Sequence, residues 1–193
     1  MARWSPDARG RLERAALELF VEQGYAATTV PEITARAGLT TRTFFRHFAD
    51  KREVFFAGDE ISAFAGRLLA DAPADLDPVA LLEGGLRQTA AARFDGRREE
   101  VRRRRDVILA EPALRERDAQ KRDDLVRVIR PALVARGVEE LEAALLAELT
   151  VLVLHVALEA WLAEPVERPM GEVVAECFTR LRGVLTAGDV PQV

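Results

Sequence analysis

The stretch GLTTRTFFRHF, residues 38–48, sets three Phe, two Arg, one His and three Thr into eleven positions. Rings of that kind build a core, whereas guanidiniums and hydroxyls address something polar outside it. On a helix turning about 100° per residue, Phe44 and Phe48 fall about 40° apart on one side. Arg42 and Arg46 then fall on the opposite side. A guanidinium forks two hydrogen bonds to guanine O6 and N7, or meets a phosphate. Threonine hydroxyls donate to phosphate oxygens, and the Thr41 methyl suits a thymine methyl. Lys51, at the start of the following helix, adds a cation for a nucleic-acid backbone beside that helix's free N–H groups. A solvated Arg face on an ordinary helical protein is the other reading of the same spacing.

Short helices have to hold this stretch in place. Thr29 with Glu32 three residues on is a capping box, and Pro31 sits in the first turn, where its missing N–H does little harm. That helix ends near Ala37. Gly38-Leu39-Thr40 then leads into a third helix over 41–48, which is the spacing of a helix-turn-helix. The preceding helix is expected over 6–23, with Ser5 as N-cap, Pro6 at its first position and Asp7 in its first turn. Its apolar face is Leu12, Ala15, Ala16, Leu19 and Phe20, and Gly24 stops it. A fourth helix is expected over 50–69, started by Asp50 and Glu53. Further helices are expected over 78–94, 97–110, 112–136 (with Pro131 as a kink), 139–163 and 172–185. About nine helices and no convincing strand make the chain all-α.

Bulk properties narrow the field. The chain has 193 residues, 49% of them apolar, enough for a sizeable core. Net charge is −4, which by itself argues against a polyanionic partner. Its distribution argues otherwise. Residues 1–52 hold nine Lys/Arg against six Asp/Glu, a balance of +3, which leaves −7 for the remainder. Such asymmetry suits a basic binding end on an acidic body. The single cysteine, Cys177, excludes an intrachain disulfide and suits a reduced, cytosolic setting. The opening MARWSPDARGRLE lacks the apolar run of a signal peptide. Residues 145–163 are apolar nearly all round but carry Glu148, His155 and Glu159, so they read as a buried helix and not a membrane span.

Residues 71–193 show no metal-ligand spacing, no glycine-rich phosphate loop and no nucleophile constellation, so no enzyme activity, cofactor or metal is expected. A pocket for a small effector is expected around Phe64, Phe94, His155, Glu159 and Trp161. The run RREEVRRRRDV, 97–107, reads as a solvated helix face pairing with Glu99, Glu100 and Glu116, ahead of a second anion patch.

Residues 9–54 resemble the N-terminal domain of the TetR family of transcriptional regulators. The resemblance is carried by Phe20, Gly24, Tyr25, Thr28, Thr29, Val30, Ile33, Ala37, Gly38, Leu39, Thr40, Thr43, Phe44, His47, Phe48, Lys51 and Val54 at fixed spacing. It implies a three-helix DNA-binding domain over 1–52 and a helical effector-binding and dimerisation domain over 53–193. It implies base-edge contacts from Thr41, Arg42 and Arg46, and phosphate contacts from Thr29, Thr40, Thr43, His47 and Lys51. Two departures stand out. Phe45 replaces a frequent Tyr, which leaves packing against sugar or base methyl in place of a phosphate hydrogen bond. Pro31 and Ala35 replace polar residues of the second helix, which shifts specificity toward Arg42 and Arg46. The resemblance further implies a homodimer through the last two long helices. Leu152, Val156 and Val173 are the candidate interface residues, and Cys177, if on that surface, would lie near its symmetry mate, a small buried hydrophobe being the other reading. The apolar helix 145–163 also reads as the central core helix of its own chain. The partners implied are a palindromic double-stranded operator and a small, largely hydrophobic effector, with no membrane. Effector binding would swing the fourth helix and release the DNA, as in a repressor. A helical adaptor whose helix-turn-helix binds protein instead of DNA is the rival reading.

Overall fold

The computed structural model describes residues 7–56, 61–73 and 75–187. Within them lie ten helices and no strand: α1 (Ala8–Gln23), α2 (Val30–Arg36), α3 (Thr41–His47), α4 (Lys51–Phe55), α5 (Ile61–Asp71), α6 (Pro78–Phe94), α7 (Arg98–Ala110), α8 (Pro112–Ala135), α9 (Glu140–Ala163) and α10 (Met170–Thr186). The chain forms two compact units, Met1–Glu60 with Arg102–Asp118, and Ile61–Val101 with Ala119–Val193.

The first unit is built on α1. Asp7 caps it, its carboxylate accepting from the Gly10 N–H at 3.0 Å. The expected cap at Ser5 and start at Pro6 lie outside the described residues. Leu12, Ala15, Ala16, Leu19 and Phe20 are buried as the periodicity requires. They meet Ile33, Phe44, Phe48, Val54 and Phe55 in one cluster. Leu114 is buried in the same cluster, with Val107 and Ile108 packed against it. The unit thus takes in the α7–α8 turn and runs past residue 52.

The expected fourth helix, 50–69, is two helices. Phe56 ends α4 in a non-helical conformation, and α5 begins at Ile61. Pro131 lies inside α8, which continues through it.

The second unit has two apolar clusters. One gathers Leu86, Ala90, Val153, Ala157, Trp161, Val173 and Phe178 from α6, α9 and α10. The other gathers Leu81, Leu82, Leu125, Ile129, Leu133, Ala147 and Val151 from α6, α8 and α9. Arginines close the helix ends here. Arg98 donates to the Trp161 and Glu164 carbonyls at the end of α9. Arg136 donates to the carbonyls of Ala72 and Pro73 just past α5. Each satisfies carbonyls that the helix itself leaves open.

Candidate nucleic-acid interface

The turn that aims α3 is fixed by local chemistry. Thr29 accepts from the Glu32 N–H while the Glu32 carboxylate accepts from the Thr29 N–H at 2.7 Å, so the capping box is complete. The Thr29 hydroxyl also donates to that carboxylate at 2.7 Å, which holds the Glu32 acid below its ordinary value. After Ala37 the chain reverses through Gly38, whose φ of +62° favours glycine. A Cβ there would meet the Arg11 guanidinium at 2.9 Å, and Arg11 itself donates to the Ala37 carbonyl. Thr40 then caps α3, accepting from the Thr43 N–H at 3.2 Å.

On α3 the two faces are cleanly divided. Phe44 and Phe48 are buried, their ring centroids 5.5 Å apart. Thr41, Arg42, Phe45, Arg46 and His47 are exposed, and Thr43 is half-buried. Among the described residues, neither Arg42 nor Arg46 has a hydrogen bond or ion pair, unlike Arg36, which is held by Glu22 at 2.8 Å and Glu18 at 3.4 Å. An Arg that a protein leaves unengaged on a braced helix can fork onto a base edge or phosphate without first breaking an internal bond. Thr29 and Thr40 are exposed at the starts of α2 and α3, beside N–H groups that suit phosphate oxygens.

Lys51 is placed differently from the other eight. Its ammonium donates to the Tyr25 carbonyl at 2.6 Å and the Thr28 carbonyl at 2.8 Å, and lies 4.1 Å from the Tyr25 ring centroid. Burial lowers its pKa. Here the cation fastens α4 to the α1–α2 connection. Sequence spacing fixes that Lys51 starts α4 but not that a bend returns two carbonyls to it.

Arginines of the run 97–107 also fasten structure. Arg97 pairs with Glu100 at 2.9 Å, the surface pairing expected. Arg104 instead donates to the Phe55 carbonyl at 2.7 Å, closing the end of α4, and Arg105 pairs with Asp118 at 3.3 Å. Arg117 reaches Glu53 of α4 at 3.1 Å. Periodicity signals a charged face here, but long-range partners leave no mark in local spacing.

In the second unit a narrow cavity of about 40 Å³ opens between α5, α6, α8 and α9, lined among others by Leu68, Leu82, Gly85, Leu125, Ile129 and Thr150. None of Phe64, Phe94, His155, Glu159 and Trp161 lines it. Trp161 is buried against Phe94 and donates its indole N–H to the Arg168 carbonyl at 2.8 Å, the bond a buried indole requires. Phe64 lies under Arg67 and Arg93. His155 and Glu159 are half-buried on α9. A wider groove of about 440 Å³ over α6 and the start of α10 is open to solvent.

The interface expectation divides as well. Leu152 and Val156 are 52% and 47% exposed, in line along α9 with exposed Leu141 and Leu145. Val173 is 2% exposed and belongs to the core of its own chain, so it cannot meet a second copy. Cys177 is half-buried, and burial raises its thiol pKa.

A helix-turn-helix whose second helix is braced by rings and faced with exposed arginines is the arrangement of the DNA-binding regulators. Known proteins agree. Residues 13–57 match the model of the bacterial regulatory proteins of the tetR family. The HTH-type transcriptional regulator TcmR of Streptomyces glaucescens is 43% identical over 96 residues, 48% of this chain and 42% of TcmR. The HTH-type transcriptional repressor Rv3405c of Mycobacterium tuberculosis is 40% identical over 85 residues, 43% of this chain and 45% of its own. The chain therefore spans under half the length of these curated relatives. Among solved structures, the SmeT–triclosan complex superposes with a TM-score of 0.63 at 21% identity, covering 96% of this chain and 98% of SmeT; that likeness is one of fold. The N-terminal part of the chain is thus similar to the bacterial regulatory proteins of the tetR family, and over its length the chain shares the fold of SmeT.

Proposed function

We propose that the chain is a ligand-responsive repressor that binds a palindromic operator as a homodimer in the cytoplasm and lets go when a small, largely hydrophobic effector binds. Residues 1–52 supply the DNA contacts and 53–193 the effector and dimer contacts, with the α7–α8 turn shared with the first group. One observation carries the reading: Arg42 and Arg46 are exposed, with no partner among the described residues, on a helix whose other side is clamped by Phe44 and Phe48. Thr29, Thr40, Thr41, Thr43, Phe45 and His47 flank them for phosphate, sugar and methyl contacts.

The apolar line Leu141, Leu145, Leu152 and Val156 supports a second copy as partner, because such a line left in water is unfavourable. The cavity supports an apolar effector. Its volume of about 40 Å³ is far below the roughly 300–1,000 Å³ of ligand pockets, so occupation requires the helices around it to part. An effector that binds the opened state better shifts the population toward it, which is the coupling a release mechanism needs. SmeT, of the same fold, has been captured with triclosan. The naming of Rv3405c as a repressor supports the sign.

Selection from a random DNA pool tests the reading. The expected product is a palindrome whose half-site centres lie about 34–36 Å apart or a multiple of that, bound with steep loss of affinity as salt rises. No enrichment, with weak binding indifferent to salt, would favour the protein-binding adaptor instead.

A further inference from the structure

We infer that Phe45, with the Thr41 methyl beside it, reads the 5-methyl group of a thymine in each half-site, next to the base pair that Arg42 reads. The inference rests on the proposed binding of DNA through α3. Phe45 is 60% exposed. Of the nine Phe in the chain it is the one that stands mainly in solvent. At about 100° per residue it lies about 60° from Arg42 and about 40° from Thr41, so the two form one flank of the outward face. Thr43 and His47 form the other flank, where the Thr43 hydroxyl lies 3.1 Å from that of Thr40. One flank is thus apolar and the other polar.

The ring is also held. It meets the buried Phe44 edge-on, with centroids 5.3 Å apart and planes at 80°. A ring braced in this way loses little rotamer freedom on binding. Its partner follows from chemistry. A phenyl group has no donor for a phosphate, and pressing it on one would strip water from an anion without replacement. Beside the hydrogen-bonding groups and flat C–H edges of the bases in the major groove, the thymine 5-methyl is the apolar group that projects into it. That methyl is the base-edge group whose burial against a phenyl ring and the Thr41 methyl is favourable.

The test replaces thymine by deoxyuridine, which removes this methyl and nothing else. With the selected operator, each thymine of a half-site is replaced in turn, in both half-sites together. For the unaltered chain one position is expected to weaken binding by about fourfold per half-site, the effect of unburying one methyl group. Phe45→Ala should bind the thymine operator more weakly and lose all discrimination at that position, while Phe45→Leu keeps part of it. Since the ring is exposed, both variants should keep the melting temperature of the parent. Equal binding of every deoxyuridine operator by the parent overturns the inference while leaving DNA binding through α3 intact. Full discrimination retained by Phe45→Ala does the same. Failure of the parent to select any sequence overturns the proposed function and this inference with it.

Discussion

Arg42 and Lys51 show how far residue type alone can be trusted. Both are cations at the start of a short helix, yet Arg42 is exposed with no partner among the described residues and Lys51 is bonded to two carbonyls beneath Tyr25. Their substitutions should therefore separate. Arg42→Ala is expected to weaken operator binding by about 1–3 kcal/mol and to blur one base position, with stability unchanged. A gel shift across single-base operator variants at fixed salt checks both halves. Lys51→Met keeps the aliphatic stem but leaves the Tyr25 and Thr28 carbonyls without their donor. It should lower stability by about 1–3 kcal/mol and leave the salt dependence of DNA binding as it was. A salt slope smaller by about one unit in this variant would instead mark Lys51 as a phosphate contact.

At the scale of elements, the reading helix depends on parts distant in sequence. α4 is held by Arg104 at its last carbonyl and by Arg117 at Glu53, and Leu114 of α8 is wholly buried in the apolar cluster that holds Phe20, Phe44 and Phe55. Leu114→Ala should destabilise this unit by about 2–5 kcal/mol, because a fully enclosed side chain leaves a cavity that the rings cannot close. Loss of amide-exchange protection in α1 and α4, with that in α9 retained, is the expected sign. Uniform loss throughout the chain would mean that the two units unfold together.

For the whole molecule the proposed dimer is decisive, since one short helix reads few base pairs. Leu152 stands on a surface line, so Leu152→Glu should leave the monomer's melting behaviour intact while placing a charge where a second copy would press. Sedimentation should move from dimer to monomer, and operator affinity should fall steeply, because half-sites are then bound without mutual support. An unchanged sedimentation coefficient would show that this α9 face is not the contact.

Whatever depends on neighbours within a turn or two was legible in the order of residues. The all-α architecture, the Thr29–Glu32 capping box, the Gly38 reversal and the opposition of Phe44 and Phe48 to Arg42 and Arg46 all follow from helical periodicity and backbone limits. Whatever depends on residues brought back from afar came from the packing of the helices. It gave Lys51 its two carbonyls and made Arg98, Arg104 and Arg136 into helix caps. It put Val173 inside the core and set the cavity away from Trp161. The physical reason is that a side chain's period fixes which way it points from its own helix. Only the packing of other helices fixes what it finds there.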